Sequence, residues 1–266
     1  MNDTGSLDQQ APLYIPSGTE VELFAAAWSR QLPVLLKGPT GVGKTRLVEH
    51  MARRLNRPLV TVACHEDLSA ADLVGRYVLR GDDTVWIDGP LSQAVKQGAI
   101  CYLDEVVEAR ADTVVVLHPL MDHRRELHID RLGTTLKADA GFMLVMSYNP
   151  GYQTLAKDLK PSTRQRMVAI ELGFPTPQVE AAVLTQLYGV DTAVAQKLAQ
   201  FAQAARRSPH SGLDETISPR ALITAALLMQ AGVSQREAMK AATATALSDD
   251  AAVVAGLMEL VDVYLA

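Results

Sequence analysis

The sequence has few aromatic residues and no excess of basic charge, and each shortage excludes a class of protein. Aromatic residues make up only 5% of the chain, so alanine, valine and leucine must supply most of the buried surface. That composition favours helices and parallel strands over an aromatic-rich β-sandwich. With 25 lysines and arginines against 30 aspartates and glutamates, the formal net charge is −5. Proteins that bind nucleic acid usually carry a basic footprint, so we expect no nucleic-acid partner.

Cysteine and long apolar runs are also scarce. The two cysteines, Cys64 and Cys101, lie in apolar, strand-like stretches. We interpret them as reduced core residues of a protein in a reducing compartment. Residues 1–16 are polar and lack the apolar segment of a signal peptide, and the longest apolar runs are too short to span a bilayer. We therefore expect a cytoplasmic protein without a membrane partner.

Behind a polar lead-in over residues 1–18, short apolar runs alternate with helical patterns. The runs are almost continuously apolar, which is typical of strands covered on both faces. This alternation predicts an α/β fold in which a parallel sheet is flanked by helices. The predicted strands are Val34–Lys37, Leu59–Ala63, Ile100–Leu103, Phe142–Ser147 and Val168–Leu172. The predicted helices are Glu20–Ser29, Lys44–Asn56, Pro90–Gly98 and Arg110–Met121.

Phe174-Pro-Thr-Pro177 marks the predicted domain boundary, because its two prolines block both helix and strand pairing. The chain beyond it is rich in alanine and leucine and helical in pattern. We expect an α/β core over residues 19–175 and a small all-helical domain over residues 176–266. The predicted helices of the second domain are Gln178–Leu187, Asp191–Arg206, Pro219–Met229, Ser234–Thr245 and Asp249–Leu265.

Two stretches break the strand–helix alternation. Residues 75–89 predict a β-hairpin that turns at residues 81–84, and residues 125–137 predict another that turns near residues 132–134. Both hairpins are expected to project from the main sheet rather than belong to it.

The strongest motif is Gly38-Pro-Thr-Gly-Val-Gly-Lys-Thr45, which matches G-x-x-x-x-G-K-[ST] between a predicted strand and a predicted helix. Its glycines let the backbone wrap a phosphate, and successive N–H groups form an anion-binding nest. Lys44 would reach the β- and γ-phosphates of a nucleotide, and Thr45 would be a ligand of Mg²⁺. The predicted nucleotide-binding residues of this motif are Gly38, Pro39, Thr40, Gly41, Val42, Gly43, Lys44 and Thr45.

A second part of the site is predicted where the run Ala99-Ile-Cys-Tyr-Leu ends in Asp104 and Glu105. Asp104 can hold Mg²⁺ through water at the carboxyl edge of the sheet. Glu105 can polarise the water that attacks the γ-phosphate. The chain lacks the Asn-Lys-x-Asp motif with which signalling GTPases recognise guanine, so ATP is favoured as the nucleotide.

Polar residues further along the chain complete the predicted site. Asn149, in Ser147-Tyr-Asn-Pro150, follows the next strand and could hydrogen-bond the γ-phosphate or the attacking water. Arg164 and Arg166 lie on a short helix from which a guanidinium can reach a neighbouring subunit's nucleotide. Ser218-Pro-Arg220 opens a helix of the second domain, with Ser218 as its N-cap, and Arg220 could close over the γ-phosphate.

These motifs together resemble those of AAA+ ATPases: a strand, GPTGVGKT and a helix, then YLDE, SYNP, a trailing arginine, and SPR in a helical lid. Residues 84–91, TVWIDGPL, look like the helix-2 insert of the MoxR group. Residues 34–41 (VLLKGPTG), 48–52 (VEHMA), 101–110 (CYLDEVVEAR) and 148–153 (YNPGYQ) resemble the CbbQ/NirQ/NorQ subgroup, and within it most of all CbbQ. The resemblance runs over nearly the whole chain from about Tyr14.

The resemblance implies a P-loop AAA+ core, two β-hairpin inserts that face the ring pore or a partner, and a helical C-terminal lid. It implies a hexameric ring of identical subunits that hydrolyses ATP with Mg²⁺ at subunit interfaces. It assigns Lys44 and Thr45 to Walker A, Asp104 and Glu105 to Walker B, Asn149 to sensor 1 and Arg220 to sensor 2. Arg166 is the first choice for the arginine finger and Arg164 the second.

The resemblance also implies a partner and a client. CbbQ members act with a von Willebrand factor A domain protein of the CbbO type and reactivate inhibited Rubisco. NorQ and NirQ members assist the maturation of nitric oxide reductase with a similar partner. From the sequence we favour Rubisco as the client, with nitric oxide reductase as the alternative. The motif residues themselves carry no information about the client.

Other functions fit the sequence less well. A zinc site built from His118, His123 and His128 is disfavoured, because a spacing of five residues does not place them on one helical face. A nucleic-acid motor that uses Arg124, Arg125 and Arg131 is disfavoured, because Glu126 and Asp130 interleave with them and the chain is acidic. A P-loop small-molecule kinase leaves the helical lid and the trailing arginines unexplained. A pure binding module would show no ATP turnover.

Overall fold

A computed structural model describes residues 14–150, 159–207 and 216–265. The chain divides into two compact units. The α/β unit contains Tyr14, Thr19–Gly38 and Lys44–Leu172, and the helical unit contains Ile15–Gly18, Pro39–Gly43 and Gly173–Ala266. The domain limits at residues 18 and 175 stay predictions.

The α/β unit follows the predicted alternation of strands and helices. In chain order its elements are α1 (Glu20–Ser29), β1 (Val34–Lys37), α2 (Lys44–Arg54), β2 (Leu59–Ala63), α3 (Ala70–Val74), β3 (Gly75–Arg80), β4 (Asp83–Asp88), α4 (Pro90–Gln97), β5 (Ile100–Asp104), α5 (Ala111–Val115), β6 (Glu126–Ile129), β7 (Thr134–Lys137), β8 (Met143–Tyr148), α6 (Pro161–Arg164) and β9 (Val168–Glu171). All five predicted strands are present, with ends that differ from the prediction by at most one residue.

Five strands form one parallel sheet in the order β2-β5-β8-β1-β9. Their register places Ala63 beside Asp104, and Lys37 beside both Tyr148 and Glu171. Parallel strands end at the same edge of the sheet, and that edge is where ligands of such sheets bind. The residues that follow β1, β5 and β8 therefore lie side by side, and they belong to the motifs found in the sequence.

The two central strands that carry the acidic and sensor motifs are buried along their length. Every residue of β8 is buried, and so is every residue of β5 before Asp104. Helix α4 packs against β2 and β5, and α1 packs against β9. Each fully buried large apolar side chain contributes about 1.5–3 kcal/mol to folding. This burial holds the strand tips, and the polar residues on them, in fixed positions.

Both predicted hairpins form separate two-stranded antiparallel sheets, β3–β4 and β6–β7, as expected from the turn signals. In the first hairpin Tyr77 meets Trp86 edge-on, with ring centroids 5.1 Å apart. Leu79 on the same hairpin is 74% exposed. The prediction that these strands stay outside the main sheet is confirmed.

The predicted helix Arg110–Met121 is wrong in extent. Only Ala111–Val115 is α-helical, and a 3₁₀ turn, His118–Leu120, follows it. Pro119 lies inside that turn, and proline lacks the N–H that a continuing α-helix requires. Helix α3 was missed altogether. It begins at a capping box in which Ser69 and Asp72 satisfy each other's backbone N–H groups.

The helical unit contains, in chain order, α7 (Pro177–Tyr188), α8 (Thr192–Arg207), α9 (Pro219–Gln230), α10 (Gln235–Met239), α11 (Thr245–Leu247) and α12 (Ala251–Leu265). The predicted helix over residues 234–245 is present as a continuous helical stretch, but it is not α-helical throughout, because a π-helical segment, Lys240–Ala244, joins α10 to α11. The hydroxyl of Thr243 bonds the Met239 carbonyl and that of Thr245 bonds the Lys240 carbonyl. Hydroxyls that compete for helix carbonyls favour such widened turns.

The core of the helical unit is built largely from alanine and leucine, with Phe201 fully buried among them. Helix α9 starts as predicted, because the Ser218 hydroxyl accepts from the Ala221 N–H and Pro219 occupies the first turn. The helices of both units are short, and α8 has 16 residues. In the part of the chain that the structure describes, no helix is long and apolar enough to cross a membrane.

Candidate nucleotide site

Lys44 opens α2 directly after the glycine-rich motif, and only 8% of its surface is exposed. Its ammonium donates to the Gly38 carbonyl at 2.8 Å and also to Asn149 Oδ1. A buried ammonium needs such acceptors, and a phosphate oxygen is a stronger acceptor of the same kind. The structure thus brings together Lys44 and Asn149, which were predicted from motifs more than a hundred residues apart.

Asp104 ends β5 and points one carboxylate oxygen toward α2. Asp104 Oδ2 lies 3.4 Å from Thr45 Oγ1, which is long for an O–H···O hydrogen bond. Carboxylate and hydroxyl oxygens are the hard ligands that Mg²⁺ prefers, and these two are close enough to bind the same ion. The two residues predicted as magnesium ligands are therefore neighbours.

The other oxygen of Asp104 is held by two hydroxyls that the sequence analysis did not assign. Tyr102 donates to Asp104 Oδ1 at 2.7 Å, and Ser147 donates to the same oxygen at 2.5 Å. The two hydroxyl oxygens lie 3.0 Å apart. Tyr102 and Ser147 are both fully buried, so these contacts satisfy polar groups that water does not reach.

Glu105 has a left-handed backbone, with φ 54° and ψ 46°. This conformation costs a residue other than glycine about 1–3 kcal/mol and is concentrated at functional sites. The Glu105 N–H donates to Ser147 Oγ at 3.3 Å, which supports the turn, and the Glu105 side chain is exposed. Because of this turn the Glu105 carboxylate lies outside the strand, in a position from which it can contact a water molecule.

Residues 39–43 of the glycine-rich motif belong to the helical unit, as does α9. Gly41 has φ 77° and Gly43 has φ 98°, values that favour glycine. A Cβ at residue 41 would lie 2.9 Å from Ser218 Oγ and 3.2 Å from Arg220 Cβ. The Arg220 side chain therefore starts beside the phosphate loop, consistent with its predicted position. The other residues of this segment are buried or half-buried: Pro39, Thr40 and Val42.

The two arginines proposed as fingers differ in exposure. Arg164, at the end of α6, is half-buried, whereas Arg166 is exposed and donates to the Ser162 carbonyl. The buried Thr163 between them pairs with His118 Nε2 at 3.0 Å. Burial lowers the pKa of His118, and the charge of Arg166 lowers it further. This contact fixes α6, which ends at Arg164. The prediction that Arg166 lies on the same helix is wrong, because the α-helix ends before it and Arg166 lies in the following turn.

Burial also changes the acidity of groups near the strand tips. It raises the pKa of the Tyr102 hydroxyl, and Asp104 raises it further, so Tyr102 stays a protonated donor. Burial raises the pKa of the Cys64 thiol to about 12, with smaller contributions from the charges of Asp104 and Glu105. The pKa of Cys101 is likewise about 12 through burial. Both cysteines are free and buried, as predicted.

This arrangement can bind a magnesium nucleotide. Lys44 is a buried cation at the start of a helix, where phosphate binds well. Thr45 and Asp104 provide oxygen ligands, and Mg²⁺ is typically held by one or two carboxylates together with substrate phosphates. Glu105 and Asn149 lie at the tips of neighbouring strands, β5 and β8, from which they can orient a water molecule. The residues present fit both the nucleotide and the metal.

Two family models match the chain. One described as an AAA domain of the dynein-related subfamily covers residues 33–167, and one described as CbbQ/NirQ/NorQ C-terminal covers residues 180–264. The chain is also similar in fold to a RuvB mutant of Thermotoga maritima, with a TM-score of 0.55 at 17% identity, over 90% of this chain and 67% of that one. This likeness shows the parallel-sheet AAA+ fold and nothing about the client.

Curated relatives match almost end to end. The denitrification regulatory protein NirQ of Pseudomonas aeruginosa is 56% identical over 96% of this chain and 98% of its own length. Protein NorQ of Paracoccus denitrificans is 56% identical over 96% of this chain and 94% of its own. Protein CbbQ of Hydrogenophilus thermoluteolus is 50% identical over 92% and 91%. The chain therefore belongs to the CbbQ/NirQ/NorQ subgroup of AAA+ proteins and is an ATPase.

Proposed function

We propose that this ATPase works in a hexameric ring of identical subunits and uses hydrolysis of magnesium ATP to remodel a client protein. The observation that carries the proposal is the cluster at the sheet edge, where Lys44 contacts Asn149 and Thr45 lies beside Asp104. A von Willebrand factor A domain protein is the proposed partner, as the subgroup resemblance implies.

Within one subunit, the residues have separable tasks. Lys44 holds the β- and γ-phosphates by its charge, in place of its contacts with Gly38 and Asn149. Thr45 and Asp104 hold Mg²⁺, which when bound neutralises charge on the phosphates. Glu105 accepts a proton from the attacking water, and Asn149 orients that water. Arg220 closes over the nucleotide as sensor 2.

We propose that a neighbouring subunit contributes the remaining positive charge. Arg166 is the proposed finger because it is exposed and lies in the turn after α6, a helix fixed by the contact between His118 and Thr163. An arginine supplied in this way stabilises charge on the transferring phosphoryl group and accelerates turnover by about 10³–10⁵-fold in other phosphoryl-transfer proteins. Arg164, which is half-buried, is the second candidate.

For the client we propose nitric oxide reductase, whose maturation the chain would assist. Relatives named NirQ and NorQ are 56% identical over 96% of the chain, against 50% over 92% for the relative named CbbQ. This difference supports a denitrification role ahead of the Rubisco client that we favoured from the motifs. Rubisco reactivation stays the second candidate, because the CbbQ relative also covers nearly the whole chain.

Deletion of the gene in its source organism tests the choice of client. Under denitrifying conditions the deletion should abolish nitric oxide reductase activity while the subunits of that enzyme still accumulate. Wild-type protein should restore the activity and Lys44→Ala protein should not. Unchanged nitric oxide reductase activity combined with loss of Rubisco activity would reverse the order of the two candidates.

A further inference from the structure

Two buried hydroxyls touch the proposed metal ligands but have no part in the roles assigned above. Tyr102 lies on β5 two residues before Asp104, and Ser147 lies on β8 two residues before Asn149. Side chains two residues apart on a strand point to the same face. Tyr102, Ser147 and Asp104 therefore share one face of the sheet, the face on which Thr45 lies.

The hydrogen-bond pattern is asymmetric at Asp104. Both hydroxyls donate to Oδ1, at 2.7 Å from Tyr102 and 2.5 Å from Ser147. Each hydroxyl has a single proton, so both protons are used on this one oxygen. Ser147 Oγ then accepts the Glu105 N–H at 3.3 Å. Oδ2 is left on the side of Thr45, 3.4 Å from its hydroxyl.

Tyr102 also reaches the second ligand directly. Its hydroxyl oxygen lies 3.4 Å from Thr45 Oγ1, so one side chain contacts both proposed magnesium ligands. The ring is fully buried and cannot leave this position without opening the core. A rigid donor that holds one carboxylate oxygen fixes the orientation of the other, as outer-shell partners do in metal sites.

We propose that Tyr102, assisted by Ser147, is a positioning residue that presents Asp104 Oδ2 and Thr45 Oγ1 to Mg²⁺. The inference rests on the proposed use of magnesium ATP. Tyr102 does not touch the nucleotide or the attacking water in this scheme; it acts through Asp104. Ser147 has a second task, because it also supports the backbone turn of Glu105.

The test is the magnesium dependence of nucleotide binding by Tyr102→Phe, which removes the hydroxyl and keeps the ring. Binding of a fluorescent ADP analogue is measured in EDTA and across a series of Mg²⁺ concentrations. Affinity in EDTA should equal that of wild type. The magnesium midpoint is the Mg²⁺ concentration at which half of the magnesium-dependent gain in nucleotide affinity is reached. It should rise by about 10-fold or more, the usual cost of losing an outer-shell partner. Excess Mg²⁺ should restore ATP turnover.

Tyr148→Phe is the matched control, because Tyr148 is also buried but lies on the opposite face of β8 from Ser147. It should show the wild-type magnesium midpoint. Ser147→Ala should shift the midpoint in the same direction as Tyr102→Phe, and it provides the test if Tyr102→Phe does not fold.

The outcomes separate the two levels of the account. If both Tyr102→Phe and Ser147→Ala show the wild-type magnesium midpoint, the inference is overturned. The proposed function still stands in that case, provided that nucleotide binding by the wild-type protein depends on Mg²⁺. Equal loss of affinity in EDTA and in Mg²⁺ shows a merely structural role and also overturns it. Wild-type protein that binds nucleotide with no magnesium dependence contradicts the proposed function itself.

Discussion

Each unit of the molecule buries a polar cluster in an apolar core, and the two clusters are built in opposite ways. In the helical unit, Glu180 and Arg206 form a closed pair. Both carboxylate oxygens of Glu180 are bound by the guanidinium, at 2.7 and 3.0 Å. The third guanidinium nitrogen of Arg206, Nε, donates to the Ile217 carbonyl at 2.7 Å, and the guanidinium carbon lies 4.3 Å from the centroid of the Phe174 ring.

In the α/β unit, the cluster at the end of β5 is open. Oδ1 of Asp104 accepts two short hydrogen bonds, whereas Oδ2 lies 3.4 Å from Thr45. Asp104 is half-buried, whereas Glu180 is 3% exposed. In the closed cluster each charged group is bound by the other, and we expect the pair to act in folding. In the open cluster, Asp104 Oδ2 has no short hydrogen bond among those described above, so this oxygen can bind a metal ion.

The largest expected effect is on the open cluster. Glu105→Gln should lower ATP turnover by about 10²–10⁴-fold, since the water loses its general base. Nucleotide affinity and the melting temperature should stay near wild type. Phosphate-release kinetics measure turnover, nucleotide titration measures affinity, and thermal unfolding gives the melting temperature. The matched control is Glu171→Gln, an exposed glutamate at the end of β9 in the same sheet, which should keep full turnover.

The closed cluster should respond in stability instead. Arg206→Met should lower the free energy of unfolding by about 3–5 kcal/mol, because it leaves the Glu180 charge buried without its partner. Urea unfolding followed by circular dichroism measures the loss. The double variant Glu180→Leu/Arg206→Met should recover most of it, since apolar replacement of a whole buried pair is often neutral. If Arg206→Met is as stable as wild type, the pair of Glu180 and Arg206 does not stabilise the helical unit, and the contrast between the two clusters is wrong.

Lys44→Ala should weaken nucleotide binding by about 100-fold, because a charge-assisted contact with phosphate contributes roughly 3 kcal/mol. Stability without nucleotide should change little or increase, since a buried ammonium is removed together with its desolvation cost. Isothermal titration calorimetry gives the affinity. If Lys44→Ala binds nucleotide with wild-type affinity, Lys44 does not bind the phosphates.

The smallest expected effect connects Glu105 with a neighbouring thiol. The Glu105 charge raises the pKa of Cys64 but is not among the causes for Cys101. Glu105→Gln should therefore lower the pKa of Cys64 and increase its thiolate fraction at pH 9. Alkylation of Cys64 should become faster by about 5-fold or less, because a nearby unit charge contributes about 1 kcal/mol. Cys101 should react at its wild-type rate, as peptide mapping by mass spectrometry would show.

The sequence indicated which residues meet at the open cluster, but it did not indicate the hydroxyls that support Asp104. Lys44 was predicted from the glycine-rich motif, and Asp104, Glu105 and Asn149 from their places at the ends of apolar strands. Parallel strands end together at one edge of the sheet, which is why these residues are close in space. Tyr102 was treated as part of an apolar run, since two of its hydroxyl's neighbours, Thr45 and Ser147, lie on other elements. The available signal was its place two residues before Asp104, on the same face of the strand.

The fold shows the same division between local and long-range information. Strand positions, both hairpins and the start of α9 follow from local patterns, and they were predicted. Pro119 should have limited the predicted helix 110–121, because proline is a local signal. The pairing of Glu180 with Arg206 joins residues 26 positions apart on two helices, and no local pattern indicates it. The π segment 240–244 depends on threonine hydroxyls that resemble ordinary helix residues in sequence.

Complementation between inactive subunits tests most directly whether ATP is hydrolysed at a site shared by neighbours. In the proposed scheme, Glu105→Gln should disable the site of its own subunit, and Arg166→Ala should disable the site of the next one. Mixed in the presence of magnesium ATP, the two variants should form rings with some intact sites and recover turnover. A mixture of Glu105→Gln with Lys44→Ala should stay inactive, because every subunit then carries a defect in its own site. If the first mixture also stays as inactive as its separate components, Arg166 does not complete a neighbour's site.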